Sequence, residues 1–356
     1  MVIARGKFVK EYEVGTYHCI SRCVRRAFLC GEDIYSGKNY EHRRGWIRDR
    51  LKELSLIFGV EVFSYAVMSN HLHIVIRNRP DLVKSWSDEE VVKRWSWLFP
   101  KEREDTGNPL PPIPAYVQNF LKDSEKLLVC RQRLGSLSWF MRCLNEKIAR
   151  RANQEDQCSG RFWEGRFKSQ PLLDEGAILA CMAYVDLNPV RAAMAEDLEE
   201  STFTSIYDRL LAERARKRLK KLKSEEAFKS AMTQEQERCV EKEQNLIKDA
   251  SWLVSLDDKN SPFEGSIPLQ QYTDLLEWTG KNIKADKIGH LPPPLESVLD
   301  RYDLDADLWV SNVAEFGGLF YRIVGSLEKI FEYAKSRGQK FFCGYSGSAQ
   351  LYQKSS

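Results

Sequence analysis

The amino-acid sequence predicts an α+β fold in which helices pack on a mainly antiparallel sheet. The elements of the first 190 residues follow the order strand, helix, strand, strand, helix, strand, helix, which is typical of that class. Two β-like runs at 60–69 and 71–78 lie close enough to form a hairpin, and a hairpin pairs its strands antiparallel. Hydrophobic residues make up 43% of the chain and charged residues 29%, proportions typical of a globular protein with a buried core.

The first three strands of the sheet come from the N-terminal part of the chain. Apolar and β-branched residues alternate over 12–24, which predicts a strand. Residues 40–58 carry apolar side chains near helical spacing with basic residues between them, and this predicts an amphipathic helix that ends at Gly59. The hairpin follows, with Ser69 and Asn70 as its turn.

A second group of elements completes the predicted domain. Residues 135–153 form a strongly amphipathic helix, and residues 166–173 form a short strand or extended segment. Asp174 is a plausible N-cap for a further apolar helix. The pair Asn188 and Pro189 stops that helix, because proline lacks the amide donor that a continuing helix needs.

Changes in composition along the chain predict two regions. Residues 1–205 form one domain with a helical insertion at about 79–134, where the prolines at 108–114 must interrupt any helix. Residues 206–356 form a mainly helical accessory region that contains the basic run 214–223, either as a solvated helix face or as a contact for duplex phosphates. The same region is predicted to hold a linker or rigid turn, short amphipathic helices and a weakly ordered tail, at 290–296, 297–338 and 343–356 respectively.

Composition narrows the cellular setting. The nine cysteines are odd in number and lack paired spacing, which argues against a disulfide framework and against a zinc site. No signal peptide and no apolar stretch of membrane-spanning length is visible, so we expect a cytoplasmic protein with reduced thiols. The net charge of +3 is too small to indicate or exclude a nucleic-acid partner.

The segment "VMSNHLHIVI" places two of the five histidines at alternate positions of a predicted strand. Residues i and i+2 of a strand point to the same face, so His71 and His73 can bind one divalent metal through neutral ring nitrogens. A lone pair of this kind is more often packed or solvent-exposed, and the pattern by itself leaves that alternative open.

The helix that follows Asp174 adds oxygen ligands. Tyr184 and Asn188 are four residues apart and share one helix face if the helix reaches Asn188. An amide oxygen suits Mg²⁺ or Mn²⁺, and a phenol can act as a covalent nucleophile. The alternative is a core tyrosine with Asn188 as a C-terminal cap. A basic stretch with interleaved aromatic residues at 131–168 precedes this helix, as a single-stranded nucleic-acid groove requires, although a solvated helix face has the same composition.

Together these pieces resemble a known family. The segments "YHCISRCVRRAFLCGE", "NHLHIVI", "GRFWEGRFKSQPLL" and "AYVDLNPVRA" occur in the order found in single-tyrosine HUH transposases, and are most similar to the REP-associated tyrosine transposases. The resemblance covers roughly residues 5–210, and the long stretch 79–134 and the region after 210 depart from the shortest members.

The resemblance implies a ferredoxin-like HUH nuclease sheet and a specific set of site residues. His71, His73 and Asn188 would hold Mg²⁺ or Mn²⁺, and Tyr184 would be the nucleophile that forms a 5′-phosphotyrosyl link to single-stranded DNA. The candidates for DNA contact are the cations that lie in or near the matching segments, namely Arg22, Arg26, Lys147, Arg150, Arg166 and Lys168.

The function expected from the resemblance is metal-dependent cleavage and strand transfer of single-stranded or hairpin DNA at palindromic, REP-like sequences. Two alternatives remain open at the level of sequence. A regulator or domesticated remnant on the same fold would bind palindromes without cutting them. A metal-dependent hydrolase would use water as the nucleophile and leave no covalent species. The sequence does not distinguish a monomer from a dimer.

Overall fold

The computed structural model describes most of the chain, namely residues 9, 11–24, 29–32, 37–105, 109–226, 234–257, 261, 263, 266–285, 289–320, 322–339, 342 and 345–352. Within these residues the α+β class is confirmed. Four strands form one sheet, Gly15–Arg22 (β1), Val60–Val67 (β2), His71–Asn78 (β3) and Lys168–Leu172 (β4). The strand order is β2-β3-β1-β4 with every neighbouring pair antiparallel, which is the order of a ferredoxin-like βαββαβ sheet.

Helices lie on both faces of the sheet and extend beyond it. The three that follow the predicted pattern are Arg43–Ile57 (α1), Leu137–Glu155 (α6) and Glu175–Asp186 (α7). The insertion forms Pro80–Ser85 (α2), Asp88–Leu98 (α3), Pro114–Leu121 (α4) and Ser124–Leu134 (α5). The rest of the chain forms Asn188–Arg191 (α8), Ser205–Glu226 (α9), Gln234–Ala250 (α10), Leu269–Ile283 (α11), Pro293–Asp300 (α12), Trp309–Ala314 (α13), Phe316–Leu319 (α14), Leu327–Ser336 (α15) and Tyr345–Leu351 (α16).

Several local predictions are confirmed by these bounds. Asp174 is the N-cap of α7, and its carboxylate accepts a hydrogen bond of 2.9 Å from the amide of Ala177. Two expectations for the C-terminal region were wrong. The predicted linker contains the start of α12, because proline is tolerated in the first helical turn, where Pro293 lies. The predicted tail contains α16, which is held to the protein by the fully buried Leu351.

The two faces of the sheet have different roles. One face carries Tyr17, Leu72 and Ile74, which are buried in a core with α1 and α6. The other face carries His18 and His73 and is covered by α7. Because successive side chains of a strand alternate between faces, the apolar residues of β1 and β3 fix which face the polar ones occupy.

The region after α7 completes the core on the histidine side. Tyr272, Trp309 and Leu351 are buried in one hydrophobic cluster with residues of α7 such as Met182. The predicted boundary between residues 205 and 206 stays a prediction.

The basic run 214–223 lies on α9. Arg218 forms an ion pair of 3.1 Å with Glu243 of α10, and Lys217 lies 3.8 Å from Glu213. These carboxylates neutralise part of the run, as expected of a solvated helix face. Across the described ranges, no helix is both long enough and apolar enough to cross a bilayer.

Candidate active site

Strand β3 places the histidine pair near the middle of the sheet, between β1 and β2. His71 and His73 point to the same face, and the centroids of their rings are 4.6 Å apart at an interplanar angle of 79°. His73 is only 2% exposed, whereas His71, at the beginning of the strand, is partly exposed. The Nδ1 atom of His71 lies 2.5 Å from Oδ1 of Asn70, which leaves its Nε2 atom as the nitrogen open to a ligand.

Helix α7 brings the tyrosine to this face. The ring of Tyr184 lies 5.5 Å from the ring of His73, centroid to centroid, and the two planes are perpendicular. The pair is more than a hundred residues apart in the chain, so only the packing of α7 across the sheet joins them. The structure therefore brings Tyr184 next to His73, the buried member of the histidine pair.

A third histidine, which the sequence analysis did not single out, completes the cluster. His18 of β1 shares a hydrogen bond of 2.8 Å between its Nε2 atom and Nδ1 of His73. Its ring also lies 5.9 Å from the ring of Tyr184. The Nδ1 atom of His18 contacts Oε1 of Gln170 at 3.3 Å, and Gln170 stands directly opposite His18 in the β1–β4 pairing.

Burial sets the charge of this cluster. Desolvation, opposed by the hydrogen bond to Gln170 and assisted by the neighbouring His71, lowers the pKa of His18 to about 4. Desolvation also lowers the pKa of His71 to about 4, with a contribution from the positive charge of Arg22. The pKa of His73 lies well below its usual range, chiefly because of burial. All three imidazoles are therefore neutral at pH 7, which is the state in which a ring nitrogen can bind a metal.

Asn188 lies just beyond the tyrosine helix and is buried. Helix α7 ends at Asp186 and the short helix α8 begins at Asn188, with Leu187 between them in the right-handed helical region. Within the described chain, no hydrogen bond links Asn188 to His71 or His73. Its side-chain Nδ2 atom is nevertheless buried without a hydrogen-bond partner among the described residues.

The donor atoms fit a divalent metal in part. The Nε2 atom of His73 is buried and has no hydrogen-bond partner among the described residues, so an electron pair of this imidazole is available. His71 stands beside it on the same face. The described residues contain no group of three or more His, Cys, Asp or Glu side chains arranged as metal ligands. A metal held here would need an oxygen ligand such as the amide of Asn188, or oxygens from substrate and water.

The tyrosine is enclosed by the C-terminal region. Phe316 of α14 stacks on the ring of Tyr184, with centroids 5.1 Å apart at 26°. The guanidinium of Arg191 lies 4.7 Å from the centre of the same ring. A Cβ atom at Gly317 would stand 3.0 Å from the phenolic oxygen of Tyr184. These contacts leave Tyr184 only 9% exposed.

The predicted DNA-contacting cations fall into two groups. Arg22 and Lys168 are exposed at the end of the sheet where His71 lies, and Arg166 is exposed just before β4. Lys147 and Arg150 lie on α6 and are paired with carboxylates, at 3.3 Å from Glu53 and 2.5 Å from Glu146 respectively. Arg26 lies outside the described residues.

The site residues that the sequence analysis missed all join the site through tertiary packing. His18 and Gln170 lie in segments predicted as strands, but a place in the site follows only from which strands are neighbours. The histidine in "YHCIS" alternates with apolar residues, which is a detectable but unspecific signal. Arg191 and Phe316 reach Tyr184 through helix packing. Arg191 lies in the segment "AYVDLNPVRA" without a pattern that assigns it a role, and no sequence pattern marks Phe316.

Comparisons with known proteins do not establish a family for this chain. No family model matches the chain, and no curated protein matches it. Among solved structures, one match is a REP-associated tyrosine transposase bound to a REP hairpin, with a TM-score of 0.33 and 11% sequence identity, over 58% of this chain and 82% of the other. A likeness at this level does not establish a family.

Proposed function

We propose that this protein cleaves and rejoins single-stranded DNA at hairpins formed by palindromic sequences, with Tyr184 as the nucleophile. The product of the first step is a 5′-phosphotyrosyl link between the protein and the DNA. The same resemblance in sequence that motivates this proposal names His71, His73 and Asn188 as the ligands of Mg²⁺ or Mn²⁺.

One observation carries the proposal. A phenol and an imidazole with an unpaired, buried ring nitrogen lie against each other, with ring centroids 5.5 Å apart, although they are distant in the chain. Core tyrosines and packed histidines satisfy their polar atoms with protein partners in the great majority of cases. A buried ring nitrogen left unpaired beside a potential nucleophile therefore calls for an explanation, and binding of a metal ion supplies one.

The chemistry balances without a nucleotide cofactor. The phenolic oxygen of Tyr184 attacks phosphorus as the bond from phosphorus to the 3′-oxygen breaks, the phenolic proton passes to a base, and the departing 3′-oxygen takes up a proton. The phosphotyrosine keeps the energy of the broken ester, so a free 3′-hydroxyl can reverse the reaction and join strands. The guanidinium of Arg191, 4.7 Å from the centre of the tyrosine ring, favours charge that develops on the phenolic oxygen.

When bound, a divalent metal would polarise a non-bridging phosphate oxygen. Burial keeps the imidazoles neutral, and Phe316 and α7 exclude water from the site. Arg22 and Lys168 are exposed at the end of the sheet where His71 lies, and in this proposal they contact the backbone phosphates of the substrate.

Replacing Tyr184 with phenylalanine is expected to abolish the covalent adduct. The variant keeps the ring that packs on Phe316 but loses the oxygen that forms the phosphoester. A labelled hairpin oligonucleotide incubated with the protein and Mn²⁺ and run on a denaturing gel measures the adduct. Tyr207→Phe, a partly buried tyrosine on α9, is the matched control and should keep the adduct. An adduct of undiminished yield in Tyr184→Phe rules out this nucleophile.

Replacing His71 with alanine is expected to abolish cleavage, because one imidazole of the proposed metal site is lost. The same gel reports cleavage, and Mn²⁺ titration followed by electron paramagnetic resonance reports metal binding. His42→Ala removes an exposed histidine on the opposite side of the sheet, which pairs with Glu155, and should leave both readouts unchanged. Full cleavage by His71→Ala would contradict the metal assignment.

Because α14 packs against Tyr184, we expect alanine to have different effects at two adjacent glycines of this helix, Gly317 and Gly318. A Cβ at Gly317 would stand 3.0 Å from the phenolic oxygen of Tyr184, whereas a Cβ at Gly318 meets nothing within 4 Å. Gly317→Ala must displace the phenol by a few tenths of an ångström, and we expect about a tenfold slower adduct formation. Gly318→Ala is the control and should react at the wild-type rate. Equal rates in the two variants would show that the phenolic oxygen does not need this position.

The enclosure of Tyr184 by Phe316 favours a second candidate function. A protein that binds palindromic hairpins without cutting them could keep the tyrosine as a packed core residue, and a ring that is 9% exposed fits that role as well. The adduct gel separates the two functions, because a non-cleaving binder retards the hairpin on a native gel and yields no covalent species.

A further inference from the structure

A line of polar groups runs behind the histidine pair from the sheet to the C-terminal region. Nδ1 of His73 contacts Nε2 of His18 at 2.8 Å, and Nδ1 of His18 contacts Oε1 of Gln170 at 3.3 Å. The amide nitrogen of Gln170 donates to the backbone carbonyl of Phe320. The side chains of His18, Gln170 and His73 are all more than nine-tenths buried, so water does not substitute for these partners.

The backbone carbonyl of Phe320, at one end of this line, fixes the direction of each hydrogen bond in it. A backbone carbonyl can only accept, so Gln170 must present its NH₂ group to Phe320 and its oxygen to His18. The amide oxygen of Gln170 in turn can only accept, so the proton of neutral His18 is on Nδ1.

The proton position of His18 in turn determines that of His73. With its proton on Nδ1, neutral His18 has a bare Nε2 atom that accepts the hydrogen bond from Nδ1–H of His73. The remaining nitrogen of His73, Nε2, then carries no proton. It is this nitrogen that is buried and has no hydrogen-bond partner among the described residues.

We propose that His18, Gln170 and the Phe320 carbonyl form a positioning relay that holds His73 as its Nδ1–H tautomer and presents the lone pair of Nε2 to a divalent cation. The inference rests on the proposed metal role of His73 and adds the residues that orient and polarise this ligand. Metal-binding histidines commonly donate their other ring proton to such a partner, which fixes the tautomer and raises the basicity of the ligand atom.

The relay gives the C-terminal region a part in the site. Phe320 follows α14, which also carries the Phe316 ring that stacks on Tyr184. Gln170 belongs to the edge strand β4, so its side chain links the sheet to this segment. A site built from the first 205 residues alone would leave the amide of Gln170 free to rotate and the proton position of His18 undetermined.

The tautomer of His73 can be measured directly in the full chain. Imidazole nitrogens with and without a proton differ widely in ¹⁵N chemical shift, and free histidine favours the Nε2–H tautomer, so the expected state is the less common one. With only five histidines, selective ¹⁵N-histidine labelling gives an assignable long-range ¹H–¹⁵N spectrum. In metal-free wild-type protein at pH 7.5, we expect both His18 and His73 to be protonated at Nδ1 and bare at Nε2.

Gln170→Leu is the variant that breaks the relay. Leucine has a similar volume but offers no acceptor to Nδ1–H of His18 and no donor to the Phe320 carbonyl, so the tautomers of His18 and His73 are no longer fixed. We expect a mixture of His73 tautomers in the spectrum together with a 10- to 100-fold weaker affinity for Mn²⁺. Gln154→Leu, the same chemical change at an exposed position of α6, should alter neither the tautomer of His73 nor the affinity.

The outcomes separate this inference from the proposed function. Protonation of His73 at Nε2 in the wild-type protein overturns the relay whether or not the variant folds, and leaves the adduct test of Tyr184 untouched. An unchanged Mn²⁺ affinity in folded Gln170→Leu overturns the link between the relay and the metal. The expected tautomer with weakened Mn²⁺ binding supports the relay even if no DNA adduct forms, in which case it is the proposed nuclease that fails.

Discussion

Replacing Asp186 with alanine is expected to lower the free energy of unfolding by about 3–5 kcal/mol, the range for a buried charge pair that loses one partner. Asp186 lies two residues after Tyr184 at the end of α7 and is fully buried. Its carboxylate accepts hydrogen bonds from the hydroxyl of Ser205, the amide of Ile206 at 3.1 Å and the hydroxyl of Tyr272 at 2.8 Å.

The size of the effect follows from what alanine leaves behind. Burial raises the pKa of Asp186, and the positive charge of Arg209 opposes that shift. Arg209 is itself buried and donates to the carbonyl of Phe63 at 2.7 Å. Without Asp186 the charge of Arg209 loses the carboxylate that favours it most, and the three donors to Asp186 lose their acceptor.

Urea unfolding of the two proteins at pH 7.5 measures the difference. Asp274→Ala is the matched control, because Asp274 is exposed on α11, the helix that carries Tyr272, and should change stability by less than about 0.5 kcal/mol. A loss of less than about 1 kcal/mol in Asp186→Ala would contradict the assignment of a stabilising network. The network joins α7 to α9 and α11. We therefore expect the near-ultraviolet circular dichroism bands of the aromatic residues around Tyr184 to broaden in the same variant.

Acidification is expected to destabilise the protein progressively between about pH 6.5 and pH 4. His18 and His71 have pKa values of about 4 in the folded protein because of burial, and the pKa of His73 is also lowered. On unfolding, each imidazole regains an ordinary pKa near 6.5. Below that value the unfolded chain binds protons that the folded site resists, so stability is fully present above pH 6.5 and is lost as the pH falls.

Each histidine that titrates only in the unfolded state contributes a slope of about 1.4 kcal/mol per pH unit. The whole-protein slope also contains groups of opposite sign, such as Asp186 with its raised pKa, so the comparison must be made between variants. The free energy of unfolding is measured from pH 7.5 to pH 4.5 with a chelator present, for wild type and for His18→Gln. The variant should have a shallower slope, and His290→Gln, at an exposed position, is the control. Identical slopes in wild type and His18→Gln would contradict the effect of burial.

The local elements were predictable because each depends on its own residues. The hairpin of β2 and β3 follows from two β-rich runs around Ser69 and Asn70, and α7 follows from the Asp174 cap and the Asn188–Pro189 stop. The errors fell where tertiary burial outweighed composition. Proline-rich and polar segments near the C-terminus read as linker and tail, but Leu351 and the first turn of α12 pack onto the core and stabilise helices there.

What the sequence alone determined was the chemical repertoire, a histidine pair on one strand face and a tyrosine on the helix after β4, together with the α+β class. Those follow from periodicity, since the alternation of a strand and the turn of a helix decide which side chains share a face. Only the tertiary structure decided that β1 lies beside β3, so that His18 and Gln170 stand behind His73, and that α14 covers Tyr184. Strand order and helix packing are set by the summed burial of surfaces far apart in the chain, and no local pattern records that sum.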